Sequence, residues 1–128
     1  MWVDPQAVVL EVGRDVLSGW LVQSRLPADW VTRLPLFLAR VVPAGSGLDS
    51  RFDHVVHTVQ VDAYATTESA GRAAVSTFRD GMVAGNPGSD VGRCGVPDVV
   101  TSPFLFPSED VPDGVRRVSA TFRATFSP

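Results

Sequence analysis

The last part of the chain alternates between apolar and polar side chains, and this pattern constrains the fold more than any other feature. The apolar series is Val118, Ala120, Phe122, Ala124 and Phe126, and the polar series is Arg117, Ser119, Thr121, Arg123 and Thr125. A period of two residues is typical of a β-strand with one buried face and one exposed face. We therefore expect a sheet whose apolar side must be covered by other elements.

Three further segments have the character of strands: Leu36 to Val42, His54 to Ala65 and Cys94 to Thr101. The second alternates clearly, whereas in the third Pro97 favours an edge position or a bulge, because proline cannot donate to a ladder. Residues 20–35 carry two prolines and mixed polarity. We assign them as a connection with room for a short helical turn.

Two helices are predicted to cover the sheet. The first runs from Pro5 to about Leu17 with Asp4 as its cap, and the second follows Thr66 and Thr67, which both offer a cap, and runs to about Ala84. Their apolar stripes are Val8, Val9, Val12 and Val16, then Ala70, Ala73, Ala74, Phe78 and Met82. The order helix, strand, strand, helix, strand, strand predicts an α+β fold: a mostly antiparallel four-stranded sheet with two helices packed on one face.

Composition indicates one domain spanning residues 1–128. An apolar content of 45% is ordinary for a packed globule of this length, and the single cysteine, Cys94, excludes an intrachain disulfide and suits a reducing compartment. The net charge is −3 and every basic residue is arginine, without the broad basic face of a nucleic-acid binder. Apolar runs are too short to cross a bilayer, and the first residues lack a secretory signal, so we expect a soluble protein without a membrane role.

No catalytic, cofactor or metal site can be assigned, so we expect a protein that is not an enzyme. His54 and His57 lie three apart on a predicted strand, which puts them on opposite faces and argues against a shared metal. The thiol of Cys94 lies in a glycine-bounded turn, but no base is placed beside it. The acidic residues at 109, 110 and 113 are interpreted as a solvated turn among prolines.

The segment Pro103-Phe104-Leu105-Phe106-Pro107 is strongly apolar and lies within a predicted loop from Ser102 to Gly114. It is either a lid folded back on the core or an anchor for a partner, because monomers avoid large exposed apolar patches and aromatic residues are enriched in interfaces. The predicted loop from Pro43 to Asp53 is also long. Long loops in a compact domain are usually functional or ordered by a neighbour, which favours assembly.

Three features together resemble a known protein family over nearly the full chain. They are an opening helix, a central strand that leads directly into an alanine-bearing helix, and a closing strand. The two strands read His57-Thr58-Val59-Gln60-Val61-Asp62-Ala63-Tyr64-Ala65 and Val115-Arg116-Arg117-Val118-Ser119-Ala120-Thr121-Phe122. The pattern is similar to that of the tail terminator (tail completion) proteins of long-tailed bacteriophages.

The resemblance implies a structural protein of the virion, located at the head-tail junction and assembled in the host cytoplasm. Copies would form a homo-oligomer, a hexameric ring, that caps the head-proximal end of the tail tube, stops tube polymerisation and presents a docking surface to head-completion proteins. DNA would pass through the lumen without sequence-specific binding, and the net negative charge is compatible with that passage. No cofactor is implied.

The resemblance carries no catalytic residues, so only interface residues are hypothesised. The anchors toward neighbouring subunits or the tube are Arg51, Phe104 and Phe106, with Leu105 between the two aromatic residues. Arg116 and Arg117 open the last strand and either pair with acidic groups across a subunit boundary or form an exposed surface pair that contributes little.

Two other interpretations remain open at the level of sequence. The first is another neck or connector component, such as a head-closure protein. The second belongs to a different class: a small α+β enzyme or ligand-binding domain with an intersubunit site lined by His57, Cys94 and acidic side chains.

Overall fold

The computed structural model describes residues 3–43, 55–107 and 111–128, and these form two helices, six strands and one 3₁₀ turn. The helices are α1 (Pro5–Val16) and α2 (Glu68–Ala84). The strands are β1 (Leu21–Gln23), β2 (Leu36–Pro43), β3 (Val55–Ala65), β4 (Arg93–Cys94), β5 (Asp98–Leu105) and β6 (Arg116–Ser127). The 3₁₀ turn spans Trp30–Arg33, within the segment predicted as a connection.

All six strands belong to one sheet, whose columns are β1, β2, β3 and β6, with β4 and β5 both paired to the remaining edge of β6. The α+β class with two helices is confirmed, but the prediction of a plain four-stranded sheet is wrong. A short strand, β1, pairs parallel to β2, whereas every other pairing is antiparallel. Three residues are too few to show an alternation, so β1 could not be predicted from its residues.

The predicted third strand and the loop after it are also corrected. The strand predicted from Cys94 to Thr101 is interrupted at Gly95–Pro97, which separates β4 from β5. Strand β5 continues to Leu105, so the first residues of the predicted loop from Ser102 belong to a strand. Pro103 is tolerated because β5 is an edge strand. The register of β5 against β6 shifts on both sides of Thr101, which bends the strand.

Both helices begin where their caps predict. The Asp4 carboxylate accepts from the backbone N–H groups of Gln6 and Ala7 at 3.1 and 3.3 Å, and the Thr67 hydroxyl accepts from Ala70 N–H at 3.1 Å. Helix α2 ends at Gly85, which has a left-handed φ of 83°. Local capping chemistry therefore fixes where the helical layer starts and stops.

The helices cover one face of the sheet, and the main core lies between the two layers. Its largest fully buried side chains include Phe37, Phe78, Phe122, Phe126, Met82, Val8, Val9, Val59, Val61, Val75 and Val118. The buried stripe of α2 differs from the predicted one, because Gly71 and Val75 face the sheet while Ala73 is exposed. A Cβ on Gly71 would lie 2.7 Å from Val118 Cγ2, so glycine is what lets the helix approach β6.

Side chains from the helices hydrogen-bond to the outer strands of the sheet. The Gln6 amide, on α1, donates to Ala39 O at 2.8 Å and accepts from Val41 N–H at 3.0 Å, so it takes the place of a neighbouring strand beside β2. Arg14 donates to Val22 O of β1 from Nε and Nη2 at 3.3 and 3.1 Å. On the opposite edge, Nη1 of Arg72 donates to Pro103 O of β5 at 3.1 Å. Such contacts make an exposed edge less available for pairing with another chain.

Replacement of Gln6 by alanine tests this edge contact. Alanine has the better helix propensity, so a loss of stability reports the two hydrogen bonds to β2, and we expect about 1–2 kcal/mol from urea unfolding. Ser76→Ala, at an exposed position of α2, is the matched control and is expected to change little. An unchanged unfolding free energy in Gln6→Ala would contradict the role assigned to the amide.

Candidate functional site

The sheet face that the helices leave uncovered is the candidate site, and we call it the open face. It carries Arg40 and Val42 from β2, Thr58, Gln60 and Asp62 from β3, and Arg117, Ser119, Thr121 and Arg123 from β6. At one end it is covered by a small second core of Leu36, Leu38, Tyr64 and Val115, against which Trp30 packs. The rest of the face is polar, as expected for the side of a strand that alternates away from the core.

Asp62 is the centre of the open face. Its side chain is only 5% exposed, and Oδ1 accepts from Arg117 Nε at 2.9 Å and from the Ser119 hydroxyl. Oδ2 lies 3.6 Å from Nη2 of Arg40, whose side chain is half-exposed. Because a buried carboxylate is costly unless it is paired and hydrogen-bonded, Asp62 is stable here only through these neighbours on β2 and β6.

Two phenylalanines form an aromatic rim beside this ion cluster. The Arg117 guanidinium lies 3.8 Å from the ring centroid of Phe106 and 5.7 Å from that of Tyr64. The Phe104 and Phe106 rings lie 5.3 Å apart between centroids, and Phe104 remains 39% exposed. A cation over an aromatic face is attracted by the ring quadrupole, so Asp62 orients Arg117 and Arg117 in turn orients Phe106.

A depression of about 190 Å³ lies between the rim and the strands; we call it the open-face pocket. Its walls are Arg40, Gln60, Asp62, Phe104, Phe106, Arg117, Ser119 and Thr121, together with Val61 and Ala120. Two guanidinium groups and one carboxylate leave a single excess positive charge. The pocket therefore suits a small negatively charged group flanked by apolar atoms.

Tyr64 lies in the small second core at the covered end of the open face, where it serves as a packing residue. Its ring lies 4.9 Å from that of Trp30. Burial raises the pKa of the Tyr64 hydroxyl, an effect that the charge of Arg117 opposes. Tyr64 therefore stays protonated at neutral pH.

The structure brings together only part of the predicted interface set. Phe104 and Phe106 lie on the open face next to Arg117, which pairs with Asp62 of its own chain. Leu105 pairs with Val118, so its register places it on the opposite face. Arg116 does not join Arg117 in this cluster, because its Nη1 donates to Val115 O at 3.2 Å. Arg51 and the other residues of the predicted loop from Pro43 that lie between 44 and 53 are outside the described residues.

Sequence reasoning missed the residues that organise the site, Asp62, Arg40 and Ser119. The alternation assigned Asp62 correctly to the non-helical face but gave no reason to expect its burial. One signal was available: the guanidinium of Arg40 interrupts the otherwise apolar segment from Leu36 to Val42. Charges at such positions are seldom buried unless they are paired.

The enzyme alternative would place His57 and Cys94 in one site, but in the structure each packs against residues of the fold. The Cys94 thiol is buried beside the Met82 carbonyl, with Sγ 3.3 Å from the oxygen, and burial raises its pKa. His57 lies on the helix-covered face with its ring centroid 6.3 Å from that of Phe126. Its Nδ1 is buried and has no hydrogen-bond partner among the described residues, and burial lowers the pKa of the imidazole.

Residues 3–43, 55–107 and 111–128 contain neither a candidate metal site nor a helix that could span a membrane. Within these ranges, no group of three or more His, Cys, Asp or Glu side chains is arranged to hold a metal ion. Likewise, neither described helix is long and apolar enough to cross a membrane.

Comparison with known proteins finds a likeness among solved structures. No family model matches the chain, and no curated protein matches it. Among solved structures, the chain is similar to one described as "Virion of native gene transfer agent (GTA) particle", with a TM-score of 0.48 and 18% sequence identity, over 95% of this chain and 86% of that chain.

Replacement of Asp62 by alanine tests the ion cluster. Removal of one partner from a buried pair costs about 3–5 kcal/mol, and the partial exposure of Arg117 and Arg40 lowers our expectation to about 2–3 kcal/mol of unfolding free energy. The matched control is Thr121→Ala, on the same face of the sheet. Equal stabilities of the two variants in urea would contradict the central role of Asp62.

The lowered pKa of His57 predicts a pH dependence of stability. The unfolded chain takes up a proton as pH falls through the ordinary value of 6.5, whereas the folded chain resists protonation until a lower pH. Stability is therefore fully present above 6.5 and is lost as pH falls from there toward the folded-state pKa. His57→Gln is expected to flatten this slope in unfolding measured across the interval, and an unchanged slope would contradict the assignment.

Proposed function

We propose that this chain is a structural protein of a bacteriophage-type virion, and more specifically a tail terminator. In this role, copies form a ring at the head-proximal end of the tail tube, stop tube polymerisation and join the tail to the head. The role is non-catalytic and needs no cofactor. The resemblance of the opening helix, the central strand and the closing strand to tail terminators supports it.

One structural observation carries the proposal: in the described part of the chain, the two faces of the sheet differ in how they are covered. Helices cover one face of the sheet, whereas the open face presents a half-exposed arginine and an aromatic rim. Val96, Val99 and Val100, on β5 or just before it, are exposed as well. An exposed aromatic rim with polar surroundings has the character of an interaction site.

The edge contacts indicate which part of the surface is used. Gln6 and Arg14 bond to strands at one edge and Arg72 bonds to the other, so strand-to-strand addition is disfavoured at these points. Partner contact is better suited to the open face, where side chains rather than backbone groups are presented. This favours assembly with a defined geometry over open-ended sheet extension.

A net charge of −3 also fits the proposed position in the particle. Tight binding to DNA requires many arginine or lysine contacts to phosphates, and a chain with this balance does not supply a broad basic face. DNA would pass a ring of such subunits without being held. The head-completion proteins and the tail-tube protein are the proposed partners.

The mass of the purified protein, alone and with tail-tube subunits, tests the proposal. We expect a ring, either in isolation or on contact with tube, and we expect added protein to halt the elongation of tubes seen by electron microscopy. Binding to preformed tubes in preference to portal-bound heads would favour a terminator over a head-closure protein. A protein that stays monomeric and leaves tube length unchanged would contradict the proposal.

A further inference from the structure

A second depression lies on the helical side of the molecule. It has a volume of about 520 Å³ and is lined by Ala7, Leu10, Glu11, Arg14 and Asp15 of α1 together with Val91; we call it the α1 depression. Helix α1 packs on the covered face of the sheet, so this depression and the open-face pocket lie on opposite sides of the fold. Two different surfaces on one subunit allow a head-to-tail contact between identical copies.

The charges of the two depressions are complementary. In the α1 depression two carboxylates, Glu11 and Asp15, face one guanidinium, Arg14, which leaves one excess negative charge. Glu11 accepts from Asn86 and Ser89, and Arg14 donates to β1. Asp15 is exposed and has no hydrogen-bond partner among the described residues. The open-face pocket has one excess positive charge, and Arg40 is its half-exposed cation.

The apolar parts of the two depressions also match. The rim of the open-face pocket presents Phe104, which is 39% exposed, beside Phe106. The α1 depression presents Leu10, Ala7 and Val91, the last 37% exposed. An aromatic rim that enters an apolar depression next to an ion pair has the composition of an interface core with a charged border.

We propose that copies of this chain associate head to tail, with the open-face pocket and aromatic rim of one copy against the α1 depression of the next. Arg40 faces Asp15 of the partner subunit, and Phe104 and Phe106 pack toward Leu10. The inference deepens the proposed function by naming the surfaces through which its ring would form, and it rests on that function for the expectation of self-assembly. A head-to-tail contact closes into a ring when its rotation closes, and otherwise extends as a filament.

A protein partner suits these surfaces better than a nucleic acid does. The pocket offers one excess positive charge, whereas binding to a phosphate backbone uses several arginine or lysine side chains in a row. The apolar rim would gain nothing from a phosphate, but it would be removed from water by Leu10 and Val91. A second copy supplies both the carboxylate and the apolar contact.

A charge exchange between the two surfaces tests the contact. We expect Arg40→Glu and Asp15→Arg each to raise the protein concentration at half-assembly by tenfold or more, measured by mass photometry at low salt. The double variant R40E/D15R restores the opposite charges and is expected to recover most of the assembly. Because Asp15 lies outside the Asp62 cluster, Asp15→Arg keeps the test valid even if Arg40→Glu weakens the fold, which urea unfolding monitors.

Two matched controls separate this contact from general effects. Arg123→Glu changes the same charge on the open face outside the pocket and is expected to leave assembly unchanged. Phe104→Ser is expected to weaken assembly and Leu105→Ser to leave it intact, because the two residues are 39% and 38% exposed but lie on opposite faces.

The outcomes distinguish this inference from the proposed function. If the single variants assemble like the unaltered chain, if a double variant that is folded by urea unfolding fails to recover, or if Arg123→Glu is equally harmful, the head-to-tail contact is overturned while tube capping still stands. Binding of duplex DNA that Arg40→Glu abolishes, without a change in mass, would also overturn it in favour of a nucleic-acid contact. If the unaltered chain fails to cap tail tubes, the proposed function itself is contradicted.

Discussion

Strand β6 is the element on which the rest of the structure depends, because it pairs along both of its edges and separates two chemically different faces. It holds β3 over eleven residue pairs on one side and both β4 and β5 on the other. Its apolar residues lie under the helices, and its polar residues supply Arg117 and Ser119 to the open face. One strand thus anchors the core and also places the groups of the candidate site.

Elements with strong local signals were predictable from the sequence. Asp4 and Thr67 cap their helices as expected, and the long alternating segments became β3 and β6. What could not be predicted depends on tertiary pairing. Leu21–Gln23 is a strand only because it lies beside β2, and Pro103–Leu105 was interpreted as loop because its proline and its aromatic residue gave no sign of a partner strand.

The same distinction applies to the candidate site. Phe104, Phe106 and Arg117 could be selected from the sequence as residues of interest, but the register of β5 against β6 decides that they meet and that Leu105 does not join them. Asp62 could be placed on a face by alternation alone. Its burial depends on Arg40 and Arg117, which come from two other strands and lie 22 and 55 positions away along the chain.

The position of Cys94 has a consequence for how copies of this chain can be joined. The thiol is the only one in the chain, it is buried beside the Met82 carbonyl, and its raised pKa keeps the reactive thiolate scarce. A covalent bridge between subunits would require β4 to open first. In the proposed assembly, copies would therefore be held by reversible non-covalent contacts, so subunits that dock in the wrong place could separate again and be replaced before an assembly is complete.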